Sequence, residues 1–399
     1  MPLYTATIRL LGALGLAMSS PNFAESPAKA AGNLPPPLAI EKTGMVESLP
    51  ASYPESWVMV NEASFFSMYG GKVIILDVME TNPAKRIKGM VHKNMLGNFG
   101  QHKTRSEFYV LESFHERGWR GKKTDVFVVY DRSTLKIKKE IVWPTDRMQV
   151  LPERYSMTVS GDGEYVYAAN FTPAASFSVV RLDGHELLDT ISTPGCVLTY
   201  PTGKRSVASL CNNGGMLTTV VTKDGTLKSQ HRMAPFFDTD ETPIFERPAI
   251  IGGQAYFPGF KGMMHHIDLS GSVAEYKGSW SLINDEERAK NWRPSGLGLI
   301  DKDDQGLVYL IMQPDGAEGT QSHGGPQIWV FDVKKKKRIK IIEAPNHAIS
   351  LAATRGKNPK LVVTNGLLTL DIIDAESGEL IQTVGDFGNV TPLLVDKSY

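Results

Sequence analysis

An apolar strand, usually ending in Asp and followed by a turn and a more polar strand, recurs seven times along the chain, and such a repeat constrains the fold more than any other feature. The copies are Val73–Asp77, Val126–Asp131, Phe177–Asp183, Thr218–Lys223, His265–Asp268, Ile328–Asp332 and Leu370–Asp374. Turn chemistry follows, as in Asp183-Gly184, Asp224-Gly225, Ser270-Gly271 and Glu376-Ser377-Gly378, and then a more polar strand such as Leu135–Ile141 or Leu380–Val384. Each copy therefore reads as a β-hairpin. Between Asp77 and Asp374 the mean spacing is about 50 residues, slightly longer than a common four-stranded propeller blade. A further strand precedes several hairpins, at Phe108–Val110, Tyr165–Tyr167, Tyr256–Phe257 and Val308–Leu310. The expected fold is all-β, a seven-bladed β-propeller over residues 56–399.

Upstream of the repeats the texture changes. Residues 25–55 hold Pro27, Pro35, Pro36, Pro37, Pro50 and Pro54 among Ala and Ser, which predicts an extended N-terminal arm. Residues 1–24 read as a signal peptide, with Arg9 ahead of the apolar stretch Leu10–Met18. Nine residues are too few to span a bilayer as a helix. Ala24 and Ala28-Lys29-Ala30 are two candidate cleavage points, so the mature chain is expected to be exported. The only cysteines, Cys196 and Cys211, then read naturally as a disulfide, two buried free thiols being the alternative.

Composition narrows the possible partners. Lys plus Arg equals Asp plus Glu at 43 each, so no net field draws the chain to nucleic acid or an anionic membrane. The sequence has no GxSxG elbow, phosphate loop, HExxH, CxxCH or paired CxxC motif. His265-His266 alternate across a strand and make a poor metal pair, so neither catalytic residues nor a metal are expected in this chain. One helix is predicted at Asn284–Asn291, capped by Asn284 with Glu287 three residues on. The densest charged segment is Phe114–Asp125, compatible with a solvated loop and equally with an interface built on Arg117, Trp119 and Arg120.

This segment carries a family resemblance. His115-Glu116-Arg117 and Arg120–Asp125, then Trp280–Trp292 with Pro294, Pro314–Thr320 and Asp374–Glu379, resemble in order the heavy chain of the methylamine and aromatic amine dehydrogenases. The likeness runs from about residue 55 onward and itself implies a seven-bladed propeller. It also implies a Cys196–Cys211 disulfide, flanked by Pro194-Gly195 and Asn212–Gly215. By resemblance, two heavy and two light chains assemble in the periplasm and oxidise primary amines to aldehydes and ammonia. The light chain carries tryptophan tryptophylquinone, made from its own tryptophans, and a small copper protein accepts the electrons. The heavy chain then supplies walls and access rather than the reacting group. On the same basis His115, Arg117, Trp119, Arg120 and Asp125 are expected at the light-chain interface. Where the family places an aromatic residue at the mouth of the substrate channel, this chain has Met95, in His92–Gly97. The alternative is a free-standing periplasmic propeller that binds a ligand or protein without this activity.

Overall fold

Burial falls steeply from the inside of each sheet to its outside, and that gradient accounts for the sequence pattern. The computed structural model describes residues 48–64, 67, 69–118, 120–151, 153–385 and 391–399, all within the compact unit Glu47–Tyr399. The expected signal peptide, most of the expected arm and Trp119 lie outside the described residues. The first sheet holds β1 (Trp57–Ala63), β2 (Gly71–Asp77) and β3 (Ile87–His92). The second holds β4 (Asn98–Gln101), β5 (Glu107–Arg117), β6 (Arg120–Asp131) and β7 (Ile137–Val142). Every residue of β1 is buried and none of β7 is. A middle strand covered on both faces needs a continuous apolar run. The outermost strand meets water, and Lys138, Lys139 and Glu140 keep its edge soluble.

All seven repeated runs are strands. The aspartate that ends most of them folds the next turn. Asp131 Oδ1 accepts from the N–H groups of Ser133 (3.1 Å) and Thr134 (2.8 Å). Asp374 Oδ1 accepts from Glu376 (2.9 Å) and Ser377 (2.7 Å). Asp77, Asp268 and Asp332 do the same for Met79, Ser270 and Lys335. The Lys360 ammonium, and then these backbone donors, hold the Asp374 carboxyl at a pKa of about 2.

The strands form a β-propeller, but the expectation of seven separate blades is corrected. Among the described residues there are six hydrogen-bonded sheets, five of four or five strands and one of eight. The cause is one long strand, Lys337–Ala353. Its first part pairs with Gly325–Asp332 and its last part with Lys360–Asn365, so two blade-sized halves share an unbroken strand. Thr391–Lys397 pairs with β1, setting Val58 against Lys397 and Val60 against Val395, and closes the ring.

Adjacent sheets pack through apolar faces. Tyr109, Phe127 and Trp143 stack at centroid separations of 5.6 and 5.9 Å and meet Val166, Ala168 and Val180 of the next sheet. Burying each large side chain of this kind contributes about 1.5–3 kcal/mol. The described end of the expected arm is docked on this body. Leu49 N–H donates to Ser133 O, and buried Tyr53 donates its hydroxyl to Arg132 O at 2.7 Å. The helix forms over Asp285–Ala289 with the predicted cap: Asn284 Oδ1 accepts from Glu287 N, and Asn284 N donates to Glu287 Oε2, both at 2.9 Å.

Cys196 and Cys211 face each other across Cys196–Thr202 and Ser206–Cys211 and are disulfide-bonded. With 15 residues of sequence separation, the cross-link contributes about 3 kcal/mol on the chain-entropy model. Replacing both cysteines with serine is expected to lower unfolding stability by about that amount. Mass mapping of natively purified, unreduced protein should find neither thiol alkylated, and two alkylatable thiols would contradict the pairing.

Candidate functional site

Strand alternation gathers the Met95 loop and the charged hairpin on one face. Successive antiparallel strands reverse direction, so the β1–β2 turn, the β3–β4 loop and the β5–β6 hairpin tip share one end of their sheets. Met95 lies half-buried in the tight turn of the β3–β4 loop. Gly97 is required there, because a Cβ would lie 2.7 Å from Lys93 Cγ.

That close approach exists because Lys93 folds back beneath its own loop. Its side chain is fully buried, and Nζ donates to the carbonyls of Asn94 (3.1 Å), Gly97 (3.2 Å) and Met95 (3.5 Å). Asn94 O also accepts from Gly97 N–H at 2.9 Å, and Lys93 gives the Met95 and Gly97 carbonyls a donor. Loss of solvent, and then the positive charge of Arg147, push the Lys93 pKa down to about 7, with Glu112 opposing. Buried Glu112 accepts from Asn94 N–H at 3.0 Å and meets His92 Nδ1 at 3.2 Å. That hydrogen bond raises the pKa of His92, whose Nε2 contacts Tyr69 O at 2.8 Å. Asn94 Oδ1 accepts from Ser113 N–H at 2.7 Å, tying the loop to β5.

A second buried group extends this support. Arg147, 3% exposed, donates to Leu96 O (2.6 Å), Ser113 Oγ (2.9 Å) and Asn98 Oδ1 (3.1 Å). Asp125 accepts from Ser113 Oγ at 2.5 Å and from Arg147 N–H at 3.1 Å, and lies 3.2 Å from Lys123 Nζ. Burial pushes the Arg147 pKa to about 10, with Asp125 opposing.

The residues expected at an interface therefore divide. Asp125 is interior, 5% exposed, and holds the loop's framework rather than presenting a surface. Arg117 and Arg120 pair in register at the hairpin tip and are exposed. His115 is half-buried, its Nδ1 hydrogen-bonded to the Tyr69 hydroxyl, which joins the hairpin to the β1–β2 turn. Of the tryptophans described, Trp57, Trp143 and Trp329 are buried, and Trp280 and Trp292 pack against the core. Lys93, Glu112 and Arg147 went unnoticed in the sequence, where a lysine, a glutamate and an arginine look like ordinary surface residues. Only the unusual density of polar side chains in His92-Lys93-Asn94, directly after a strand, could have pointed to them. No group of three or more His, Cys, Asp or Glu among the described residues could hold a metal ion. Among them, too, no helix is long and apolar enough to cross a membrane.

The lowered pKa of Lys93 has a measurable consequence. Between about pH 7 and the ordinary lysine value the unfolded chain is protonated at this site and the folded chain is not, so raising the pH across that window favours folding. The cost of burying the charge is complete below about pH 7 and is relieved above it. The wild-type protein should gain up to about 1.4 kcal/mol per pH unit relative to Lys93→Met in this window. Denaturant unfolding of both proteins at pH 7 to 10 checks this, and parallel pH profiles would contradict it.

Comparison with known proteins places this architecture. Residues 56–396 match the family model described as methylamine dehydrogenase heavy chain. The chain is 24% identical over 307 residues to the methylamine dehydrogenase heavy chain of Methylorubrum extorquens, covering 76% of this chain and 74% of the relative. It is 25% identical over 309 residues to that of Paracoccus versutus, covering 76% and 71%. Among solved structures, a candidate 6-phosphogluconolactonase from Bacteroides fragilis aligns with a TM-score of 0.55 at 10% identity, covering 86% of this chain and 98% of that one. Dihydro-heme d1 dehydrogenase NirN aligns with a TM-score of 0.51 at 16% identity, covering 85% and 65%. At such identities these two structures speak for the fold alone. The family model, spanning nearly every described residue of the propeller, establishes that the chain belongs to the methylamine dehydrogenase heavy chain family.

Proposed function

We propose that this chain is the heavy, non-catalytic subunit of a periplasmic amine dehydrogenase, and that the Met95 face receives a light chain. The observation that carries the reading is the exposure of large apolar side chains on that face. Phe114 is 40% exposed, Phe171 57%, Leu367 66% and Leu368 55%, each near the turn between the second and third strands of its blade. Apolar surface of this kind, interspersed with Arg117 and Arg120, suits a partner that covers it. Two heavy and two light chains would assemble, with a copper protein as electron acceptor.

Tryptophan tryptophylquinone on the light chain would supply the electron sink for oxidising a primary amine to aldehyde and ammonia. The part left to this chain is positional. The Met95 thioether lines the entrance, and its flexible apolar chain admits or excludes amines by shape. Lys93, Glu112 and Arg147 fix the backbone that carries it. Arg117, Arg120 and Phe114 would contact the light chain and keep water from the junction.

The test is dye-linked oxidation of an amine series by the isolated chain and by the chain co-expressed with a light chain encoded beside it. The isolated chain should be colourless and inactive, and the pair active and stable to salt, with roughly 2,000 Å² or more buried between them. In the pair, Met95→Ala and Met95→Phe should shift the kcat/KM ratio of small to bulky amines by about 1–3 kcal/mol. Turnover by the isolated chain would overturn the subunit reading, unchanged ratios would remove Met95 from the entrance, and failure to bind any light chain would favour the free-standing propeller.

A further inference from the structure

On the propeller axis lies a cavity of about 540 Å³, on the face opposite Met95. Strand direction fixes this placement. The cavity's mouth is formed where innermost strands end: Gln101 to Thr104 at the end of β4, Ser160 to Gly163 after Met157–Val159, Lys302 closing Ile300–Lys302, and Lys397 closing Thr391–Lys397. The Met95 loop precedes β4 and so lies at the other end of the same strands. Phe99, Tyr155, Met157, Ile250 and Tyr399 give the cavity an aromatic and apolar wall.

Its charges do not balance. Arg154 Nε donates to Asp396 Oδ1 at 2.7 Å, and its guanidinium lies 3.9 Å from Asp301. Lys397 Nζ is 3.8 Å from Asp301 and donates to Lys302 O at 2.6 Å. Two cations are thus matched by two carboxylates. Asp162, the third acid in the lining, is turned to Arg205 at 2.7 Å. Lys103 and Lys302 remain, and among the described residues neither ammonium has an ion-pair partner. Lys103 is exposed at the mouth and Lys302 half-buried. Lys302 repels the Lys103 ammonium and Asp304 attracts it. Asp304, outside the lining, accepts from Gly356 N–H at 2.9 Å and offsets part of this positive charge.

We propose that this axial cavity binds a small organic dianion, its two negative charges taken by Lys103 and Lys302 and its body resting on the aromatic wall. A carboxylate or phosphate placed between the two ammonium groups converts their repulsion into two charge-assisted hydrogen bonds. Arg154 and Lys397 stay committed to Asp301 and Asp396, so they shape the wall without competing for the ligand. This assignment does not depend on the amine dehydrogenase reading, since it concerns a different face and different residues.

The experiment is calorimetric titration of the full exported chain, in buffer free of polyvalent anions, with succinate in one arm and inorganic phosphate in the other, and acetate as the singly charged control. At least one dianion is expected to bind with 1:1 stoichiometry and at least tenfold more tightly than acetate. The arm that binds identifies the carboxylate or the phosphate class. Lys103→Met and Lys302→Met should each weaken that binding tenfold or more, while Lys103→Arg, which keeps the charge, retains it. Matching circular dichroism melts establish that the variants are folded. Dianion affinity no better than that of acetate in both arms, or affinity unchanged in the Lys103→Met/Lys302→Met double variant, would overturn the proposal.

Discussion

Everything in this molecule depends on the pairing of β1 with Thr391–Lys397, which turns a row of sheets into a ring. The two strands are separated by more than 300 residues of sequence yet pair from Val58–Lys397 to Ala63–Thr391, with one register shift between Asn61 and Glu62. Without that pairing, two strands made largely of buried residues would become exposed edges, the arrangement most prone to aberrant association. The closure also sets the axis. Arg154 donates to Asp396 and Val395 O on the closing strand, and Asn61 on β1 donates to Asp396. Polar groups on the axis are thereby satisfied by the same strand that completes the sheet.

From this frame the Met95 face follows by a second constraint, the need of a loop's carbonyls for donors. The β3–β4 loop is too short for a ladder of its own, and Lys93 supplies the donors from beneath. A buried lysine beside a buried arginine is costly to stability, and Glu112 and Asp125 offset only part of that cost. What the arrangement gives in return is a fixed backbone under a side chain that is itself flexible. Rigidity in the support and adaptability at the tip would suit the entrance proposed for this loop.

Much of the fold was legible because the same turn is built again and again. The recurring aspartates stood out in the sequence, and the Asx hydrogen bonds of Asp77, Asp131, Asp268, Asp332 and Asp374 explain why an acidic residue ends an apolar strand. The helix cap at Asn284 and the Cys196–Cys211 pair were legible too, since both depend on residues close in sequence. Less visible was anything that depends on register across sheets. That Lys337–Ala353 would run unbroken through two blade-sized halves is a matter of backbone path, which its residues do not advertise. Asp125 was expected at an interface from the family resemblance of its segment, but β6 turns its carboxylate inward to Ser113 and Arg147. The axial cavity, assembled from strand ends scattered between Phe99 and Tyr399, left no local trace in the sequence.

The central claim is that the Met95 face, with its exposed apolar side chains, is a surface made to be covered by a light chain. Backbone amide exchange tests this most directly, compared between the isolated chain and the chain co-purified with its light chain. Slower exchange is expected in the assembled protein at residues 94–97, 114–118, 120–121 and 366–369, with unchanged exchange at the axial mouth, residues 101–104 and 160–163. Protection confined to the axial mouth, or identical exchange in both samples at the Met95 face, would contradict it.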